Sequence, residues 1–494
     1  MRQKLSSLTI VLLLSSILWL GFSQAAIAKD KLSPANQRHI IERLSFGATS
    51  GQLEQIKSRQ IEAYIQFQLN PQSVTESSAL NKYLARLSSI APKPIELQQQ
   101  YALYREKIND PQLPIEQKDK IRQKNRKFMG NVKNEAVNAH LARAIYSNRQ
   151  LQEVMVDFWF NHFSVSANKG ATLFWINDYE DRIRTHALGN FRDLLGMTAK
   201  HPAMLIYLDN KKNIAPNSPA GKKNKSGLNE NYARELMELH TLGVDGGYTQ
   251  DDVIALARIF TGWSTDVLAN KSTTGFFFYN KRHDRQEKVF LGQTIGPNGV
   301  KEGERALDIL ANHPMTAHFI SYKLAQYFVA DRPPASLVDT LTRKFIESNG
   351  NIKQVMDVLI HSSEFNDPQY YKQKFKTPYQ YLVSLIRMAE IEQPKIGRIR
   401  GMLHQLSMPM YMASAPTGYK NTEDAWLNPQ GMLQRTSFAT AIANGVLNRD
   451  YSIQQKKLSN NFGKLSPKTK QAIAKTPPKL RSALILGSPE AMYR

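Results

Sequence analysis

"NENYARELMELHTLGVDGGYTQDDVIALARIFTGW", residues 229–263, carries two helical periods separated by glycines. At about 100° per residue, Tyr232, Leu236 and Leu239 fall on one stripe with Ala233 beside them, the pattern of a core-facing helix. Arg234 lies nearly opposite, one turn from both Glu230 and Glu238. Such a ladder suits a solvated face and contributes only ~0.2–0.5 kcal/mol per pair. Asn231 and Glu235 stack on one border of the stripe, and His240 sits on the other. Gly243, Gly246 and Gly247 end the first helix. Thr249 and Asp252 form a capping box for the second, which closes near Gly262. The stretch reads as a helix–turn–helix hairpin.

Most of the chain repeats this helical signal, at 51–69, 137–163, 251–261, 316–328 and 352–359. The exception is 274–295, where "TGFFFYN" and "EKVFLGQTI" flank "KRHDRQ" and predict a β-hairpin with a longer loop. The expected fold is therefore mainly α: a multi-helix single domain over 29–451 with one β-hairpin insertion. Within it, 92–127 is a polar helical excursion bounded by Pro92 and Pro94. Residues 211–228 have the Pro, Gly, Asn and Lys content of a mobile loop. Residues 452–494 are basic and apolar-poor, which predicts a peripheral C-terminal tail. Pro at a first helical position accounts for His201-Pro202 and His313-Pro314.

The first 28 residues predict export. Arg2 and Lys4 precede an apolar run from Leu8 to Phe22, and Ala26-Ile27-Ala28 supplies a small-residue exit. This is the pattern of a secretory signal peptide, and the run falls short of the ~20 residues of a spanning helix. The expected location is periplasmic or extracellular. The full chain has a net charge of +23. Removing 1–28 takes away two of those cations and no acid. Such an excess attracts polyanions; outside the inner membrane these are anionic lipid, lipopolysaccharide, cell-wall polymer or acidic polysaccharide, and nucleic acid does not fit the address. With no cysteine, disulfides, thiolate metal sites and a cysteine nucleophile are excluded.

"QEVMVDFWFNHFSVS", 152–166, is apolar nearly all round and predicts a buried helix. Asp157, Asn161 and His162 must find partners there, and Asp157 is expensive to bury unpaired; Arg234 is one candidate partner. His283 and Asp284 form a third polar group on the expected hairpin loop. A half-buried Glu235 beside Asn231 is the kind of pair a general base or an oxygen-donor metal site uses. The chain contains no H-E-x-x-H, G-x-S-x-G, Walker loop or G-x-G-x-x-G. No metal or cofactor is specified by the sequence.

Beyond these patterns the chain resembles the bacterial domain-of-unknown-function 1800 family. The resemblance is carried by "RLSFGAT" (43–49), "VDFWFNHFSV" (156–165), "HALGNFRDLL" (186–195), "HPAMLIYLDN" (201–210), the opening stretch (229–263), "HD" (283–284), "HPMTAHFISYKLAQYFV" (313–329), "APTGY" (415–419) and "AWLNPQGMLQR" (425–435). It spans roughly 35–447 and implies a large exported protein with no assigned activity. It also implies a neighbourhood with sulfatase-like proteins of the domain-of-unknown-function 1501 family. The matched motifs include Asn161, His162, Asn231, Arg234, Glu235, His283 and Asp284. The functional expectation is an exported, envelope-associated protein with a polar cleft for an anionic substrate or polymer. In its enzymatic form Glu235 is the base or ligand, His162 the acid/base and Arg234 the anion clamp, since its planar fork suits sulfate, carboxylate or phosphate. Asn161, Asn231, His283 and Asp284 then contact substrate. The alternatives are a non-catalytic scaffold or partner of a sulfatase-like exported protein, and a polyanion-binding module driven by charge.

Overall fold

Helix α1 (Ile115–Tyr146) is polar at its start and buries Val137, Leu141 and Ala144 near its end. Its first half pairs with the helix Pro94–Asn109, so the polar excursion is a helical hairpin whose second arm runs into the core. These features belong to a computed structural model that describes residues 33–58, 60–224, 227–265 and 274–494. The expected leader at 1–28 lies outside the described residues. Among those described, no helix is long and apolar enough to cross a membrane.

The sequence predicts one helix over 137–163, but the chain turns after Tyr146. Gln150 is fully buried, and its amide donates to the carbonyls of Ala144 (3.2 Å) and Ser147 (2.8 Å). It thereby satisfies acceptors that the end of α1 leaves open. Helix α2 (Gln150–His162) then crosses the centre of the molecule with Leu151, Val154, Met155 and Trp159 fully buried. The Trp159 indole donates to the Ala187 carbonyl at 2.9 Å, just past α3 (Thr172–His186), which packs along α2.

The opening stretch folds as a hairpin, but its first arm changes type. Helix α4 (Asn231–Glu235) passes into a π-helical turn, Leu236–Thr241. The wider turn moves the core face: Met237 and His240 are buried and Leu239 is only half-buried. His240, expected at the border, points inside. Thr241 Oγ1 donates to the Leu236 carbonyl at 2.7 Å, and the Gly243 amide to Met237 at 3.1 Å. Gly243 has φ +83°, and a side chain there would press on the Phe319 ring. The Thr249–Asp252 capping box opens α5 (Gln250–Ile259) as expected.

The chain is mainly α with a small β insertion, as the sequence predicts, but the strand partners differ. Strand β1 (Trp263–Thr265) pairs antiparallel with β2 (Phe276–Phe278), and β3 (Lys288–Phe290) with β4 (Gln293–Ile295). The intervening segment cannot act as a solvent loop, because it buries His283, Asp284 and Lys288. Leu291 and Gly292, at φ +47° and +72°, make the two-residue turn that left-handed conformations permit between β3 and β4.

Helices α6 (Pro314–Phe328) and α7 (Pro378–Met388) complete the frame of the site. The ring Nδ1 of His313 accepts from the Met315 amide at 3.1 Å, and that of His201 from Ala203 at 3.1 Å. Both His-Pro pairs therefore start helices, with His as cap and Pro as first residue. Residues 452–494, expected as a peripheral tail, form four short helices. They bury Leu458, Phe462, Ile485, Leu486 and Met492 in the core. Their apolar residues are few but arrive at helical spacing. The expected loop at 211–228 is anchored at its start: Asn213 is buried and donates to the Ala257 carbonyl at 2.7 Å.

Candidate functional site

Two helices bring polar pairs face to face. On α2, Asp157 and Asn161 stack one turn apart, as do Phe158 and His162. On α6, Lys323 and Tyr327 do the same. With Thr377 and Gln380 at the start of α7, and the loop from Met408 to Thr422, they wall a cavity of about 360 Å³. That volume lies at the low end of the ~300–1,000 Å³ typical of ligand sites.

The roof is the "APTGY" loop, fastened to α2 by Asn161. Its amide donates to the Tyr419 carbonyl at 2.7 Å, and its side-chain oxygen accepts from the Tyr419 amide at 2.7 Å. Gly418 lies so close that a Cβ would sit 2.4 Å from the Asn161 carbonyl oxygen, and its φ is +68°. Only glycine fits this approach. Asn161 therefore shapes the wall through the loop it holds.

Asp157 has found its partner on α6. The Tyr327 hydroxyl donates to Asp157 Oδ2 at 2.9 Å and accepts from Gln380 Nε2 at 3.1 Å. Gln380 is fixed in turn, since its side-chain oxygen accepts from the Thr377 amide at 3.2 Å in a capping box. Burial pushes the Asp157 carboxyl above its ordinary range, against the pull of His140 and of the Tyr327 hydrogen bond.

His162 is buried in the same wall. Its Nε2–H donates to the His240 carbonyl at 3.1 Å, so Nδ1 carries the lone pair, and that atom has no protein partner. Burial holds this imidazole well below its usual pKa, and the Lys323 charge adds to the effect. His240, 6.1 Å away between ring centroids, is lowered to about 3 for the same reasons. Lys323 itself is lowered by burial. Its ammonium lies 5.4 Å from the centre of the Phe319 ring and makes no ion pair with any described carboxylate. Lys420 is exposed at the rim. The cavity thus has two lysines, Lys323 and Lys420, and one carboxylate, Asp157; burial disfavours the charged forms of Lys323 and Asp157.

The other expected site residues lie elsewhere. Arg234 and Glu235 do not line the cavity. Arg234 is 40 % exposed, donates to Gln250 at 2.8 Å, and faces Glu230 at 3.5 Å and Glu238 at 3.9 Å. It is the surface ladder that helical spacing predicts, and Tyr327 takes the role it was offered opposite Asp157. Glu235 is half-buried, and its carboxyl is raised by burial and by Glu238. Asn231 is exposed and donates to the Leu208 carbonyl at 3.2 Å. His283 bridges the Thr261 carbonyl and Glu302, both at 2.9 Å. Asp284 takes the Arg258 guanidinium at 2.9 Å, while Lys288 pairs with Glu302 at 2.6 Å. This buried network ties the β insertion to α5 and to the helix Val300–Ala311. Of the seven residues, the structure brings only Asn161 and His162 to one cavity.

No catalytic motif in the sequence marks Lys323, Tyr327, Gln380 or Tyr419, all of which line the cavity. The available signal was a lysine in the apolar run "HFISYKLAQYF", with a tyrosine one turn on. Among the described residues, no group of three or more His, Cys, Asp or Glu side chains is placed to hold a metal ion.

No curated protein and no solved structure matches the chain. A family model described as "Protein of unknown function (DUF1800)" matches residues 39–493, nearly the whole sequence and including the C-terminal helices. The chain belongs to the DUF1800 family.

Proposed function

We propose that this is an exported, envelope-associated protein that binds an anionic substrate or polymer in the cavity between α2, α6 and the 408–422 loop. One observation carries the reading. Lys323 is a half-buried cation without a partner among the described carboxylates, on the wall of the cavity between α2, α6 and the 408–422 loop. Stripping water from a charge is costly unless an opposite charge replaces it, and an anionic ligand supplies that charge. The basic excess of the chain supports the same class of ligand by long-range attraction. The leader sequence and the basic surface support an address at the cell envelope.

The test is equilibrium binding of carboxylated, sulfated and phosphorylated polymers to the mature protein and to Lys323→Met. Losing one charge-assisted contact of ~1.5–3 kcal/mol weakens binding about 10- to 100-fold. Equal affinities in both proteins, with a steep salt dependence, would favour the charge-driven polyanion module instead. Binding to none of the polymers would favour a scaffold or partner of a sulfatase-like exported protein, with the cavity polar groups serving to fix helix packing.

A further inference from the structure

If the cavity is an anion site, as proposed above, its wall narrows both the ligand and the reaction. Asp157 is the sole carboxylate among the lining residues, so hydrolysis of a glycoside by two flanking carboxyl groups lacks its second acid. The wall hydroxyls of Thr377, Thr417 and Thr422 make no hydrogen bond to a histidine among the described residues, so no activated nucleophile for acyl transfer is formed. What remains is a pair of proton-transfer groups on facing helices, Lys323 on α6 and Asp157 on α2. A second cation, Lys420, stands at the rim, and the Phe158 and Tyr419 rings offer apolar faces. Gln326 on α6 and Asn421 and Thr422 in the loop add neutral polar side chains to the wall, a setting that suits a ligand rich in hydroxyl groups.

We infer that the cavity accepts a hexuronate unit of an anionic polysaccharide and cleaves the chain by β-elimination. Lys420 neutralises the uronate carboxylate, which acidifies the adjacent C5–H. Lys323 exchanges between the ammonium, which draws the carboxylate into the cavity, and the free amine, and the amine form takes that proton. The electron pair released forms the C4=C5 double bond as the C4–O bond breaks, and the leaving oxygen takes its proton from the Asp157 carboxyl. Tyr327, hydrogen-bonded to Asp157 and to Gln380, positions that acid. No oxidant or co-substrate is consumed, and solvent returns both groups to their starting protonation. Burial supports the assignment, because it lowers Lys323 towards the free amine and raises Asp157 towards the free acid. Groups pushed apart in this sense are a usual base and acid pair.

The mature protein is mixed separately with polygalacturonate, alginate and hyaluronate. Binding is read by calorimetry, and cleavage by the ultraviolet absorbance of the unsaturated uronate and the mass of the fragments. At least one polymer is expected to bind and to give fragments carrying the double bond. Lys323→Arg keeps the cation but cannot serve as a free amine; it should still bind while cleavage falls about 10²-fold or more. Asp157→Asn should lose cleavage to a similar degree, with a melting temperature close to that of the parent. Binding without unsaturated fragments, saturated fragments, or full cleavage by Lys323→Arg each overturns the elimination and leaves the anion site standing. Binding to none of the polymers by the folded protein overturns both.

Discussion

The π turn makes a quantitative prediction about acid. It carries His240 into the core, where only 1 % of the residue is exposed. Burial and the nearby Lys323 charge lower its pKa to about 3, against ~6.5 in an unfolded chain. The folded pKa lies below the unfolded one, so protons bind preferentially to the unfolded state. The His240 contribution is therefore complete above about pH 6.5 and shrinks as pH falls towards the folded value. At pH 5, roughly 1.5 units below the unfolded pKa and at ~1.36 kcal/mol per unit, the loss is about 2 kcal/mol. His39 and His162 are also buried and lowered, so the wild-type slope alone does not isolate His240. Comparison with His240→Gln does. Urea denaturation of both proteins at pH 7 and pH 5 gives two stability differences. The substitution has its own cost, which is common to both, so the differences should separate by about 2 kcal/mol in favour of the variant at pH 5. If they agree within error, His240 is protonated in the folded protein, and the account of a sealed π turn is wrong.

Three further outcomes follow from the site. Gly418→Ala places a methyl group against the Asn161 carbonyl and forces a left-handed backbone on an L-residue, which costs about 1–2 kcal/mol before any clash; the melting temperature should fall, and proteolysis should attack the 408–422 loop first. Asp157→Asn removes a carboxylate whose charge is disfavoured by burial and keeps an acceptor for Tyr327, so denaturation at pH 7 should show a loss of less than about 1 kcal/mol; a loss above about 3 kcal/mol would mean Asp157 is a paired anion. Glu235→Gln alters a half-buried carboxyl outside the cavity and should shift stability by no more than about 0.5 kcal/mol while leaving polymer binding unchanged. Lost binding would restore Glu235 to the site.

What the sequence discloses differs between elements for physical reasons. Helix α2 is legible because "VMVDFWFNHF" is apolar on every face, which only a central helix tolerates. The Thr249–Asp252 box and the His-Pro starts are legible because capping is local. The π turn is not, because one extra residue per turn is decided by how Met237, His240 and Thr241 pack against α2 and α6 rather than by their own preferences. Strand pairing is not legible because the polar look of "KRHDRQ" hides His283, Asp284 and Lys288, which are buried against Glu302, Arg258 and the Thr261 carbonyl. The cavity is the least legible feature. Its wall comes from 157–162, 323–327, 377–380 and 408–422, segments brought together only by the fold. Within them Lys323 looks like one of many surface lysines until its surroundings are known. Clustered charge drew attention to Arg234 and Glu235, yet residues exposed on one helix face cluster readily without sharing a pocket.

The cavity as an anion site is tested most directly by lysine protection. Each lysine of the folded protein is acylated with limiting reagent, with and without a bound carboxylated or sulfated polymer, and the modified sites are counted by mass spectrometry. Lys323 and Lys420 should be shielded well beyond lysines elsewhere on the surface. Shielding spread evenly over that surface, or none at Lys323 while the polymer is bound, would contradict it.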